Sequence, residues 1–277
     1  MPQETIGIIA GSGQFPLLVA AGAHSQGFVV AVCGFHGHTD PILAQSADAF
    51  ALLHLGQFAK VIAFFKKQQV RRICMAGAIN KPRALSLRPD WRAAKMLMRA
   101  RHKGDDALLR AVAGELESEG FQVVQPATLA PGLLAPEGVL SARSPTGDEW
   151  LDIRFGWPIA RLMGRLDIGQ CLVVRQGIVM AVECLEGTDA TLKRGAALGG
   201  PGCMAVKIAK PGQDERVDLP SIGSATMDAL IEHKFAGLAL QAGKTLFFDR
   251  EKALALADAA GLCVVALPET FMETELA

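Results

Sequence analysis

The chain has 277 residues, half of them hydrophobic, and its 28 cationic side chains balance 28 anionic ones for a formal net charge of +0. This length is long for one core and suits two domains. The apolar content excludes a disordered chain, and the charge balance argues against a nucleic-acid partner, which a basic excess would mark. The start, MPQETIGIIAGSGQF, lacks the charged lead, long apolar run and cleavage site of a signal peptide. No stretch approaches the roughly 20 unbroken apolar residues that span a bilayer, so the expected location is the cytoplasm. Cys33, Cys74, Cys171, Cys184, Cys203 and Cys263 form no C-x-x-C and sit mostly in apolar runs, as reduced, buried thiols do.

The first part alternates apolar runs with helical patterns. Residues 6–10 read as a strand ending at Gly11, 15–26 as a helix, 28–33 and 50–54 as strands, and 58–69 as a helix with Val61, Ile62 and Phe65 on one face. Arg72–Ala76 reads as a fourth strand, 90–101 and 105–119 as helices, and 121–124 as a fifth strand. That alternation predicts a mainly parallel sheet with helices on both faces. Residues 125–147 then collect Pro126, Pro131, Pro136 and Pro145 with Gly132, Gly138 and Gly147, the texture of a domain boundary. The cut falls near residue 135, giving domains 1–135 and 136–277.

The second part opens with a helical pattern at 150–166 that carries Pro158, so a kink or two helices are expected. Cys171–Arg175 and 178–184 read as strands around Gln176-Gly177, a tight hairpin. Helices follow at 188–198, 224–234 and 251–260, with strands at 204–208, 238–241, 246–248 and 264–267. This half is α/β too, with at least one antiparallel pair.

Several segments carry groups suited to phosphate or metal chemistry. Gly11-Ser12-Gly13-Gln14-Phe15-Pro16 follows a strand and opens a helix, where glycines let a backbone approach phosphate. The redox dinucleotide fingerprint wants a third glycine where Pro16 stands and an acid after the second strand, which ends Cys33-Gly34-Phe35-His36. Asn80 and Lys81 follow the fourth strand on the same expected sheet edge. In Lys103-Gly104-Asp105-Asp106 the acids either cap a helix or bind magnesium. The run from 182 to 223 mixes Glu183, Glu186, Asp189, Asp214, Glu215 and Asp218 with Lys193, Arg194, Lys207, Lys210 and Arg216. Acids that hold a divalent ion, beside cations and helix starts that hold phosphate, suit chemistry on a phosphate ester or anhydride.

Taken in order, Gly11–Pro16, Lys103–Asp106, Leu166-Asp167-Ile168-Gly169-Gln170, Glu186-Gly187-Thr188-Asp189, Lys210-Pro211-Gly212-Gln213-Asp214, Asp218-Leu219-Pro220 with Ile222-Gly223, and Ala242-Gly243-Lys244 form a set over nearly the whole chain. The set resembles the LpxI-type UDP-2,3-diacylglucosamine pyrophosphatases of lipid A biosynthesis. The resemblance implies a Rossmann-like parallel-sheet first domain and a distinctive mixed α/β second domain. It also implies a magnesium-dependent hydrolase that splits its substrate into UMP and 2,3-diacylglucosamine 1-phosphate (lipid X). The family's essential aspartate matches Asp218.

Residue chemistry assigns the other roles. Magnesium, Lys207 or Lys210, and the helix amides at Thr188 and Ser224 would offset charge gained in hydrolysis. Asp218 would bind metal or orient water, with Glu183, Asp189 and Asp214 as further metal candidates. Gly11, Ser12, Gly13 and Asn80 are candidates for the uridine or sugar, and Gln14, Phe15, Gln170, Gly187, Lys210 and Ser224 are further substrate-binding candidates. Phe155, Trp157, Leu162 and Met163 either line an acyl groove or, the favoured reading, pack in the core. The partner is an amphipathic nucleotide-sugar lipid, with peripheral contact at the inner face of the inner membrane at most; a homo-oligomer stays open. Two other readings remain. A non-catalytic nucleotide-sugar sensor would not need so many carboxylates, and an NAD-dependent oxidoreductase lacks the third glycine and the ribose acid.

Overall fold

The computed structural model describes residues 3–79, 89–100, 104–211, 214–216 and 219–272. The chain divides into two compact units, Met1–Pro131 with Asp214–Asp218, and Gly132–Gln213 with Leu219–Ala277.

The first unit contains β1 (Thr5–Ala10), α1 (Phe15–Ser25), β2 (Val29–Phe35), β3 (Ala49–Leu53), α2 (Phe58–Lys67), β4 (Arg72–Ala76), α3 (Trp91–Ala100), α4 (Gly104–Ser118) and β5 (Gln122–Val123). Its five strands run in the order β3-β2-β1-β4-β5, all parallel. β1 is apolar at nearly every position because both of its faces are covered. Ile6 and Ile8 pack with Val19 and Ala20 of α1. Ile9 packs with Val61, Ile62 and Phe65 of α2 and Leu116 of α4. The strand order reverses between β1 and β4, and in such sheets the crevice beyond the strand ends at that point receives ligands.

The second unit contains β6 (Gly138–Val139), α5 (Gly147–Arg165), β7 (Cys171–Arg175), β8 (Ile178–Val182), α6 (Thr188–Gly199), β9 (Met204–Lys207), β10 (Ser221–Ile222), α7 (Ser224–Glu232), β11 (Gly237–Gln241), β12 (Leu246–Phe247), α8 (Arg250–Ala259) and β13 (Cys263–Leu267). The main sheet runs β6-β13-β11-β9-β7-β8. β9, β11 and β13 are parallel, while β7, β8 and β6 join antiparallel, so the sheet is mixed. α5 covers one face through Ile153, Trp157, Ala160 and Met163. The other face carries Leu192 of α6, Met227 and Leu230 of α7, and Ala253 and Ala257 of α8.

Two local features differ from the sequence reading, and a third forms as expected with an added support. α5 is one helix with Pro158 inside it, and it starts three residues earlier than the apolar pattern at 150. The reason is a capping box: Thr146 Oγ1 accepts from Glu149 N, and Glu149 returns to Thr146 N. The core reading for Phe155 and Leu162 does not hold, because both are exposed, whereas Trp157 and Met163 are buried. The expected hairpin forms with positive φ at Gln176 and Gly177, and buried Asp152, which sequence reasoning passed over, accepts from both of their amides at 3.0 and 2.7 Å.

Burial pushes the thiols of Cys33, Cys74, Cys171 and Cys263 up to about 12, so they stay protonated. Cys184 is exposed.

Candidate active site

In the first unit the loop after β1 meets the loop after β4. Ser12 N donates to Ala78 O at 2.7 Å and Ala78 N returns to Ser12 O at 3.3 Å, while Ser12 Oγ also donates to Ala78 O at 2.9 Å. A Cβ on Gly11 would lie 2.5 Å from the carbonyl oxygens of both Gly77 and Ala78. Gly11 is therefore a glycine because a neighbouring loop presses on it, and the donors of Ser12 serve the same junction. Gly13 differs: its φ is +85° and its Cβ position has nothing within 4 Å, so it is the open glycine of the loop. Gln14 is the N-cap position of α1, and Phe15 packs partly against the core beneath. Asn80, Lys81 and Lys103 lie outside the described residues.

These environments predict costs of different origin. Gly11→Ala forces backbone apart and is expected to cost about 1–3 kcal/mol or more. Gly13→Ala meets only the penalty of a left-handed backbone, about 1–2 kcal/mol. Urea denaturation of both variants checks the first unit's stability.

In the second unit the polar groups gather where β9 ends. Cys171 of β7 pairs with Lys207 of β9, and Glu183 N donates to Cys171 O at 2.9 Å. Three separate segments thereby come side by side. Lys207 and Glu183 are only 5% and 7% exposed. Two opposite charges so buried need partners, and Thr188 links them. Its Oγ1 accepts from Lys207 Nζ at 3.2 Å and donates to Glu183 Oε1 at 3.0 Å. Lys207 Nζ also donates to Ser221 O at 3.0 Å, and Glu183 Oε2 accepts from Gln170 N at 3.3 Å. An ammonium has three donors, so among the described residues one remains after Thr188 and Ser221.

Two helix N-termini flank this cluster in sequence. Thr188 begins α6, and Ser224 begins α7 three residues after Ser221. The side-chain atoms Gln170 Oε1 and Ser224 Oγ are buried and have no hydrogen-bond partner among the described residues. Orphaned buried polar atoms are uncommon and call for a reason; both belong to residues expected to bind substrate. Lys210 Nζ pairs with Asp167 Oδ1 at 2.8 Å, tying the 208–211 loop to the turn after α5. Gln241 also buttresses this edge, its Oε1 accepting from Ala209 N at 3.0 Å. No local sequence signal pointed to it.

The expected metal set is not assembled among the described residues, where no three His, Cys, Asp or Glu come together. Glu183 is engaged as above, and Asp189 is exposed in the first turn of α6. Asp214 takes a two-point contact from Arg216, Nε to Oδ1 at 2.8 Å and Nη2 to Oδ2 at 2.6 Å. That guanidinium holds the Asp214 carboxyl below the usual carboxylate range. Arg216 also reaches Glu117 of α4, which ties Asp214 to the first unit. Asp218 lies outside the described residues.

A family model described as the LpxI N-terminal domain matches residues 5–133, and one described as the LpxI C-terminal domain matches residues 136–265. The chain is 38% identical over 272 residues to the UDP-2,3-diacylglucosamine pyrophosphatase LpxI of Caulobacter vibrioides, covering 94% of this chain and 96% of that protein. The chain belongs to the LpxI family. Two solved structures are far more distant. An ADP complex of the N5-carboxyaminoimidazole ribonucleotide synthetase purK is 14% identical, covers 73% of this chain and 37% of its own, and has a TM-score of 0.25. The biotin carboxylase domain of 2-oxoglutarate carboxylase from Hydrogenobacter thermophilus is 9% identical, covers 64% and 36%, and has a TM-score of 0.23. Scores at that level carry no argument. Within this chain, the region matched by the C-terminal family model holds Glu183, Thr188 and Lys207 together.

Proposed function

We propose that this chain hydrolyses the pyrophosphate bond of UDP-2,3-diacylglucosamine to UMP and 2,3-diacylglucosamine 1-phosphate, with magnesium, as a step of lipid A biosynthesis. The observation that carries the reading is the buried Lys207 ammonium, held by Thr188 and Ser221 with one donor to spare among the described residues. Hydrolysis places extra negative charge on phosphate oxygens. A fixed cation beside helix amides stabilises that charge without reorganising. Family membership supplies the substrate class.

In the balanced reaction, water adds its oxygen to one phosphorus, the bridging oxygen leaves with the other phosphate, and water's two protons pass to solvent or to the phosphate products. Asp218 is assigned to magnesium or to the attacking water. Magnesium on a phosphate substrate needs only one or two protein carboxylates, the substrate's own oxygens supplying much of its shell. Asp218 would be one such carboxylate, and the ion would neutralise charge on the pyrophosphate. Gln170 and Ser224 would contact the substrate through their orphaned atoms. No helix among the described residues is long and apolar enough to cross a membrane, so the lipid substrate would be met at a surface.

The test is mass spectrometry of products formed in isotopically labelled water with magnesium, with Asp218→Asn alongside. UMP and lipid X from the native protein, lost in the folded variant, is the expected result. The labelled product identifies the attacked phosphorus. No turnover by folded native protein overturns the proposal, and tight binding without turnover would favour the sensor.

A further inference from the structure

The 19-residue helix α5 buries one face on the sheet through Ile153, Trp157, Ala160 and Met163. The opposite face should be polar, and it is not. Leu151, Phe155, Leu162 and Leu166 recur at intervals of four, seven and four, one face of a helix, and they are 40% to 63% exposed. The stripe is about 22 Å long at 1.5 Å per residue. It continues into Ile168, 43% exposed and two residues before Gln170. Leu185, two residues past Glu183, is 99% exposed. Exposed apolar side chains therefore run along α5 towards the rim of the polar cluster. Single exposed leucines are ordinary, but four in register are a surface.

One edge of the stripe is basic. Arg154, Arg161 and Arg165 follow at intervals of seven and four, and Arg154 and Arg165 are exposed. Two exposed acids bound the stripe: Asp148, one turn before Leu151 on the same face, and Asp167 just past the helix, which pairs with Lys210. Glu149 pairs with Arg143, and Asp152 is buried under the hairpin. An apolar helix face with an arginine edge is the composition of a helix lying in a membrane interface. Arginine stems extend the apolar face while their guanidinium groups pair with lipid phosphates. Self-association fits less well. A two-fold antiparallel pairing of α5 with its copy sets the two arginine edges against each other, and like charges so placed repel.

We infer that the outer face of α5 docks this chain on a lipid bilayer carrying anionic headgroups. The surface stands apart from the proposed reaction; only its use, receiving a diacyl substrate beside the site, rests on that reading. The experiment therefore measures binding with no substrate present. The full chain is sedimented with vesicles of phosphatidylglycerol and phosphatidylethanolamine, and with phosphatidylcholine vesicles, across a salt series. Expected is binding to the anionic vesicles that weakens with salt and is poor on phosphatidylcholine. Phe155→Glu with Leu162→Glu should lower that binding at least about tenfold, measured below the variant's own melting transition because the two side chains are 40% and 50% exposed. Arg154→Glu with Arg165→Glu should lower it about tenfold or more at low salt only. No binding by the native chain, or equal binding by the Phe155/Leu162 variant, overturns the inference. So does a change of that variant from dimer to monomer in light scattering without loss of vesicle binding, which would make the face a contact between copies.

Discussion

Lys207→Met is expected to lower kcat/KM for UDP-2,3-diacylglucosamine by about a hundredfold or more, with most of the loss in kcat. The size follows from what one preorganised charge donor supplies to a developing oxyanion, roughly 10²–10³ in rate. Lys207 makes this contribution only because its position is fixed. Thr188 Oγ1 and Ser221 O hold two of its hydrogens, and Glu183 holds Thr188. The same packing predicts a stability cost, since methionine leaves Glu183 buried without a nearby cation; removing one partner of buried charges commonly costs about 3–5 kcal/mol. Kinetics must therefore be read where thermal unfolding finds the variant folded. Two changes at Thr188 separate position from charge. Thr188→Ser keeps the hydroxyl and should retain most activity. Thr188→Val keeps the shape, breaks both hydrogen bonds and should lose about 1–3 kcal/mol of stability together with much of kcat. A Lys207→Met enzyme within twofold of native would remove Lys207 from the reaction and leave it a structural cation.

The alternation of strands and helices was legible because each core strand is a short apolar run and each helix keeps its period. Strand order was not: Gln176-Gly177 announced the β7–β8 hairpin, but no local residue announces that β7 joins β9 antiparallel. The two-residue strands β6 and β10 are too short to carry any period. At the site, Glu183, Thr188 and Lys207 were each visible as residue types. Their contact was not, because it depends on Cys171 pairing with Lys207 across β7 and β9. Gly11 illustrates a deeper limit. A glycine pressed by phosphate and a glycine pressed by a neighbouring carbonyl look the same in sequence, and here the carbonyls of Gly77 and Ala78 do the pressing. Asp214 likewise reads as a free acid until Arg216, two residues on, turns back to it. On α5 the apolar residues were legible, but which of its two apolar faces met the sheet was not.

Gly169→Ala should be the most damaging single methyl in the second unit's site. A Cβ there would stand 2.0 Å from Glu183 O and 2.7 Å from its carbonyl carbon. Those are backbone atoms held in the β7–β8 pairing, since Glu183 N is bonded to Cys171 O, and no rotamer change relieves the clash. Overpacking of this kind costs about 1–3 kcal/mol or more, so the melting temperature should fall by several degrees. The catalytic effect should be larger than the loss of folded protein explains. Moving residue 169 away from Glu183 pulls Gln170 N off Glu183 Oε2, now at 3.3 Å, and loosens the carboxylate that orients Thr188. Lys207 then keeps its charge and loses its aim. Activity measured well below the melting transition is the decisive reading: a kcat reduced at least tenfold in fully folded Gly169→Ala, with KM little changed, is the pattern of misplaced transition-state contacts. Native kcat in a merely less stable protein would mean that the 166–170 turn supports the fold without positioning the site.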